Sequence, residues 1–236
     1  MAVTNKLVWD QVGDKRYETG TDHGAVYPYG ANGYGNGVAW NGLTGVSESP
    51  DGAEETPLYA DNIKYASLMS AENFKATLKA YTYPDEVAVL DGSAPLKDAS
   101  GAAIPGVNVG QQPRGTFGFS WRTLIGDDVQ GTDLGYKLNL VYGAKLSPSA
   151  RDNATVNDSP SALEFSWDVT TTPVEVPGMK PTAHIVLDST KLSASQMSAI
   201  EAILYGSDTT PARLPLPAEL ATILAPSAPA SDAPKA

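Results

Sequence analysis

Three stretches of the chain alternate apolar and polar residues with a period of two. Phe117, Phe119 and Trp121 alternate with Gly118, Ser120 and Arg122, and Leu138, Leu140 and Tyr142 with Lys137, Asn139 and Val141. Leu163, Phe165, Trp167 and Val169 alternate with Ala162, Glu164, Ser166 and Asp168. Successive side chains of a strand point to opposite faces, so this pattern predicts strands with one face buried. Ala183, Ile185 and Leu187 predict another strand, and Val38-Ala-Trp-Asn-Gly-Leu43 one more. Phe74, Ala76, Leu78 and Ala80, alternating with Lys75, Thr77 and Lys79, fit a strand better than a helix. Turn residues punctuate the pattern at Tyr83-Pro84-Asp85, Asp91-Gly92-Ser93, Gly126-Asp127-Asp128, Ser147-Pro148-Ser149 and Val176-Pro177-Gly178. The period changes once, late in the chain. Ser193 and Gln196 have capping-box spacing, Leu192 and Met197 occupy the staple positions, and Met197, Ile200 and Leu204 repeat along one helix face before Gly206. A shorter helix fits residues 84–90. The fold these signals predict is mainly β: an antiparallel β-sandwich or barrel with one flanking α-helix, extended loops and terminal arms.

Composition divides the chain into a folded body, residues 1–206, and a Pro/Ala-rich C-terminal extension, residues 207–236. The extension holds six of the eighteen prolines, and such composition buries little apolar area against its ordering entropy. One island inside it, Pro217-Ala-Glu-Leu-Ala-Thr-Ile-Leu224, has helical spacing and reads as a docking peptide. The charged residues of the extension nearly cancel, so almost all of the net charge of −11 belongs to the body.

That charge argues against sustained nucleic-acid binding, which needs a surplus of Lys and Arg on the contacting surface. A hydrophobic share of 42% and a charged share of 18% exclude wholesale disorder. With no cysteine, disulfides, thiolate metal sites and cysteine nucleophiles are excluded together. The first eighteen residues lack an apolar segment of the secretory type, and no stretch approaches a membrane span, so the expectation is a protein made in the cytoplasm with no membrane partner. The Asn153-Ala-Thr155 and Asn157-Asp-Ser159 sequons then carry no meaning.

Candidate chemistry is sparse. The cluster Gly30-Ala-Asn-Gly33-Tyr-Gly35-Asn-Gly37 lacks the Lys-Ser/Thr ending and the strand-to-helix context of a phosphate loop, and reads as a long hairpin tip. Asp22 beside His23, and the solitary His184, have no nucleophile or third group in a recognisable signature. Glu54-Glu55 and Asp127-Asp128 lack the alternate-residue spacing of a calcium loop. No catalytic residue, metal site or cofactor is expected, and the protein reads as a non-enzyme: an assembly subunit or a binding module.

A series of motifs carries a family resemblance. It runs from Tyr17-Glu-Thr-Gly20 and Gly24-Ala-Val-Tyr-Pro-Tyr29 through Val38-Ala-Trp-Asn-Gly-Leu-Thr44, Glu48-Ser-Pro50-Asp-Gly-Ala53-Glu54 and Leu58-Tyr-Ala-Asp-Asn-Ile-Lys-Tyr65. It continues with Ala80-Tyr-Thr-Tyr-Pro-Asp-Glu86, Val109-Gly-Gln-Gln112, Gly135-Tyr-Lys-Leu-Asn-Leu-Val-Tyr-Gly143, Thr155-Val-Asn-Asp-Ser-Pro160, Phe165-Ser-Trp167 and Ile203-Leu-Tyr-Gly206. In order and spacing this series resembles the major tail protein, or tail tube protein, of long non-contractile-tailed bacteriophages, the siphophages. Each motif alone is weak, and the C-terminal extension is the part least covered.

The resemblance implies a β-sandwich with a flanking helix, six copies per ring, and rings stacked into a hollow tube in the virion tail. It implies assembly in the host cytoplasm around a tape-measure protein, contacts with tail terminator and distal tail proteins, and transient passage of genomic DNA. On that reading residues 1–14, 30–37 and 48–61 make inter-subunit or inter-ring contacts, with Trp9, Gly30, Gly33, Tyr34, Gly35, Glu54 and Glu55 as the named candidates. An acidic wall would repel duplex DNA over about a Debye length, ~8 Å. Glu164 and Asp168, on the polar face of their strand, are the candidate lumen-lining residues, and Lys75 and Lys79 form a polar face of opposite sign that must lie elsewhere or be tolerated. Two other readings stay open: a carbohydrate-binding β-sandwich presenting Trp9, Trp40 or Trp121, and the ring-forming tube subunit of a bacterial secretion system.

Overall fold

The computed structural model describes residues 6–156, 158 and 161–225. Seven strands come first: β1 (Tyr17–Gly30), β2 (Gly33–Tyr34), β3 (Val38–Ala39), β4 (Leu43–Glu48), β5 (Glu55–Ala60), β6 (Ile63–Met69) and β7 (Lys75–Ala80). After α1 (Asp85–Leu90) come β8 (Ala94–Lys97), β9 (Ala103–Val109), β10 (Phe117–Asp127), β11 (Gly131–Pro148), β12 (Phe165–Thr171) and β13 (His184–Asp188), then α2 (Ala194–Leu204) and α3 (Pro217–Leu224). One antiparallel sheet runs β2-β1-β10-β11-β12-β7-β4, with β3 on β1 and β13 on β11; β5–β6 and β8–β9 are separate two-stranded hairpins. The predicted fold class, mainly β with a flanking helix, is the one observed.

The sheet changes direction at Gly143. On one edge of β11, Lys137–Val141 pair with β13 while Ala144–Pro148 pair with β12. Between these registers Gly143 takes φ +59°, and a Cβ there would lie 2.1 Å from the Thr172 carbonyl oxygen. Only glycine allows that backbone approach. The Gly143 N–H donates to Tyr34 Oη at 2.8 Å and its carbonyl accepts from Thr172 N at 3.0 Å, so the corner is tied from both sides.

Turning the sheet creates two cores. The first, inside the curl, contains Val26, Trp40, Leu78, Phe117, Phe119, Trp121, Leu146 and Trp167. Here the period-two residues of β10, β12 and β7 meet, with Trp40 edge-on to Trp167 at 5.2 Å. The second lies on the outer face, where Tyr27, Leu138, Leu140, Tyr142 and Leu187 pack under Met197, Ile200 and Leu204 of α2. Central β11 is thus buried on both faces, which is why Val141, on the nominally polar face, belongs to the first core. The capping box of α2 forms as its spacing predicts, with Ser193 Oγ accepting from Gln196 N. Ser193→Ala is expected to cost about 1 kcal/mol and lower Tm by roughly 2–4 °C in a thermal melt.

Two expectations need correction. The predicted strand over 38–43 is broken, because Gly42 adopts φ +77° and turns the chain from β3 to β4; Trp40, in the break, drops into the first core and donates Nε1–H to Thr82 O at 2.9 Å. The composition argument for the segment after Gly206 also fails where the segment is described. Arg213 N donates to Ile203 O, Tyr142 Oη–H to Pro215 O, and Leu214 and Leu220 are buried in the second core. The island at 217–224 is α3, held by the Arg213–Glu219 pair at 2.5 Å and by Gln196 Nε2 donating to Leu224 O. An average over thirty residues hid a few well-placed leucines. Residues 1–5 of the N-terminal arm, Asn157 and Ser159 of the second sequon, Pro160 and the end of the extension, 226–236, lie outside the described residues.

Candidate assembly surfaces

Two of the carboxylate candidates, Asp22 and Asp127, are hydrogen-bonded within the chain. Arg122 donates two hydrogen bonds to the Asp22 carboxylate, at 2.7 and 2.8 Å, across β1 and β10. This guanidinium, with His23 Nδ1 at 3.0 Å, holds the Asp22 carboxyl below its usual range despite partial burial. Asp127 caps its own turn by accepting from Val129 N and Gln130 N. Asp91, legible in the sequence only as a turn residue, is a buried carboxylate beside the first core, where it meets Arg151 at 3.1 Å and Trp167 Nε1 at 3.3 Å. Arg151 also lies over the rings of Tyr83 and Phe165, pinning the chain after β11. Among the described residues, no cluster of three or more His, Asp or Glu could hold a metal ion. No described helix is long and apolar enough to cross a membrane.

His184 is sandwiched between Trp121 (centroids 5.7 Å apart, nearly parallel) and Phe74 (4.4 Å). Burial pushes its pKa down from 6.5 to about 4. The unfolded chain therefore binds the extra proton between those values, and folding stability falls as pH drops through that window. The loss by pH 4 is expected to reach roughly 2–3 kcal/mol. Thermal melts of wild type and His184→Gln across that range check it: the variant should show a flatter pH dependence.

The named contact candidates lie in three places. Residues 30–33 form the turn of the β1–β2 hairpin; Gly30 and Gly33 there, and Gly35 just after β2, have open space on their Cβ side. Tyr34 points the other way, into the second core against Tyr142, so its ring is committed within the subunit. Trp9 is 73% exposed on an arm with Leu7, Val8 and Val12, anchored where Gly13 N donates to Asp128 Oδ1. Glu54 and Glu55 sit at the base of the β5–β6 hairpin. Glu54 is bonded through its backbone to Ser70. Glu55 accepts from Lys64 and from Ser67, in that order the causes that hold its carboxyl below the usual range.

The hairpin itself, Glu55–Met69, went unread in the sequence. It stands off the sandwich with all but one residue exposed, and its turn places Asp61 and Asn62 both at positive φ, as two-residue hairpin turns require. Leu58 pairs with Ala66 and Thr56 with Leu68, so these four share one face. Tyr59, Ile63, Tyr65 and Met69 are also exposed. An open cleft of about 1080 Å³ lies at its base, lined by Glu48, Met69, Phe74, Lys180 and His184 among others. The β8–β9 hairpin is a second projection, with Leu96, Val107 and Val109 exposed.

The outward face of β7 and β12 brings Glu164 and Asp168 together with the lysines of opposite sign. Asp168 pairs with Thr77 and Ser166 with Lys79, so Lys75, Lys79, Glu164 and Asp168 occupy one surface. Lys79 Nζ lies 3.6 Å from Glu164 Oε2, Thr44 Oγ1 donates to Glu164 Oε1 at 2.6 Å, and Thr77 Oγ1 to Asp168 Oδ1 at 3.0 Å. Strand alternation told which residues face outward. It could not tell that β7 and β12, ninety residues apart, are neighbours.

Of the three tryptophans offered as an exposed carbohydrate platform, Trp40 and Trp121 are buried in the first core and Trp9 alone is exposed. No family model matches the chain, and no curated protein matches it. Among solved structures, a chain of the cryo-EM structure of the anti-feeding prophage (AFP) baseplate, 6-fold symmetrised, aligns with a TM-score of 0.33 at 10% identity, covering 79% of this chain and 100% of that one. A likeness of that size carries no argument about what this chain does.

Proposed function

We propose that this protein is a non-enzymatic structural subunit that assembles with copies of itself into stacked hexameric rings, forming the tail tube of a siphophage virion. The observation that carries the reading is the β5–β6 hairpin. A two-stranded hairpin is at best marginally stable alone in water, and this one exposes Leu58, Tyr59, Ile63, Tyr65, Leu68 and Met69. A projection with this many exposed apolar side chains is the kind of element that protein contacts cover. The arm bearing Trp9 and the β8–β9 hairpin add two further projections from the two-core body. The resemblance of the motifs from Tyr17 to Gly206 supplies the ring geometry, the tape-measure, terminator and distal partners, and the passage of DNA.

Sedimentation velocity over a range of concentrations tests the reading. The expected result is growth from monomer to rings and longer particles. A species that stays monomeric at every concentration and binds glycans on an array would favour the carbohydrate-binding alternative, which retains Trp9 alone of its three proposed tryptophans.

A further inference from the structure

The arm bearing Trp9 and one apolar cavity sit at opposite ends of the sandwich. β1 runs from Tyr17, beside Gly126, to Pro28, beside Phe117, so its ends mark the two ends of the body. The arm leaves from the first end, where Gly13 N donates to Asp128 Oδ1. At the second end an open cavity of about 320 Å³ is lined by Tyr29, Tyr34, Lys145, Val174 and Leu216 among others. Tyr29 and Leu216 are large side chains left about half exposed there. The strand from Tyr17 to Tyr29 spans roughly 30–40 Å at about 3.3 Å per residue with its bulges allowed for. Trp9 lies four residues from the anchor at Gly13 and reaches at most about 14 Å from it. A copy therefore cannot place its own Trp9 in its own cavity.

We infer that Trp9 of one copy docks into the cavity beside Tyr29 and Leu216 of a second copy, with Asp10 paired to that copy's Lys145. The two surfaces match in chemistry. An exposed indole is buried best against apolar and aromatic walls with a cation close to its face. The cavity supplies the rings of Tyr29 and Tyr34, which meet edge to face at 4.8 Å, the side chains of Val174 and Leu216, and the ammonium of Lys145. Charge matches too. Among the described residues neither Lys145 nor Asp10, the residue after Trp9, has an ion-pair partner, and seating the indole brings the two together. The larger cleft at the base of the β5–β6 hairpin suits the arm less well, because Glu48 and Glu72 line it with Lys180 and would set carboxylates against Asp10. A contact from one end of a copy to the opposite end of the next is heterologous, so it repeats and stacks copies head to tail along β1. The inference rests on the self-association proposed above and adds a second contact to that of the hairpin.

Tryptophan quenching in the full chain, read beside sedimentation velocity, tests it. Trp40, Trp121 and Trp167 are buried, so acrylamide in the solvent reaches Trp9 alone. Dilute wild type is expected to show a quenchable component that Trp9→Phe lacks, and this component should vanish at concentrations where sedimentation shows association. Trp9→Ala should weaken association at least about tenfold, as truncating an anchoring tryptophan does. Asp10→Lys and Lys145→Asp should each weaken it about two- to fivefold, and the two together should restore it to within about twofold of wild type. Trp9, Asp10 and Lys145 are all exposed, so native circular dichroism is expected throughout. Association with Trp9 still quenchable would overturn this contact and leave the hairpin contact standing. A double charge variant weaker than either single one would overturn the pairing. Wild type that never associates would overturn the inference together with the reading on which it rests.

Discussion

Alanine in place of Gly143 is expected to cost the domain about 3–5 kcal/mol, enough to remove much or all of the stability of a protein of this size. Two effects add. The residue sits at φ +59°, where a side chain is strained by roughly 1–3 kcal/mol, and its new Cβ would stand 2.1 Å from the Thr172 carbonyl oxygen, against backbone rather than a yielding side chain. Relieving that overlap means moving the segment after β12 away from β11, at a further cost of about 1–3 kcal/mol. The shift would also pull on the hydrogen bonds from Gly143 N to Tyr34 and from Thr172 N to Gly143 O. Chemical denaturation of the variant measures the loss. As a control, Gly30→Ala, at a position with no atom within 4 Å of the new Cβ, should change stability little.

Polar substitution of exposed apolar residues of the β5–β6 hairpin, Leu58→Ser with Ile63→Thr, Tyr65→Thr and Leu68→Thr, is expected to leave the sandwich folded and abolish self-association. None of the four lies in either core, so melting should shift by less than about 1 kcal/mol equivalent. In an assembled state each side chain would bury apolar surface worth roughly 1.5–3 kcal/mol when fully covered, and that surface sits on an element with little other support. Association should weaken by at least about a hundredfold even after the costs of ordering are subtracted. Sedimentation of this variant beside wild type at equal concentration reads the effect. Retention of normal assembly would place the contact surface elsewhere.

The two cores were legible because burial imposes a period. Phe117, Phe119 and Trp121 on one strand and Leu138, Leu140 and Tyr142 on the next announced their faces, and Ser193 with Gln196 announced the helix that covers them. Features without burial left no such trace. The β5–β6 hairpin shows no sustained apolar alternation, because none of the described residues covers it; its signal was the Asp61-Asn62 turn. The corner at Gly143 was one glycine among twenty-two, and only the crossing of the Thr172 backbone makes it irreplaceable. The balance of charge on the outward face was not legible for a related reason. Glu164 and Asp168 were visible as a polar row, but their nearness to Lys75 and Lys79 depends on which strands pair. An acidic total of −11 therefore says little about the local field at any one face.

The projecting β5–β6 hairpin is the proposed assembly element. Cryo-electron microscopy of the concentrated, purified wild-type protein tests this most directly. The predicted result is rings or tubes with six copies per ring, in which Leu58, Ile63, Tyr65 and Leu68 are buried against a neighbouring copy. Particles that remain monomeric, or tubes in which that hairpin still projects into solvent, would contradict it.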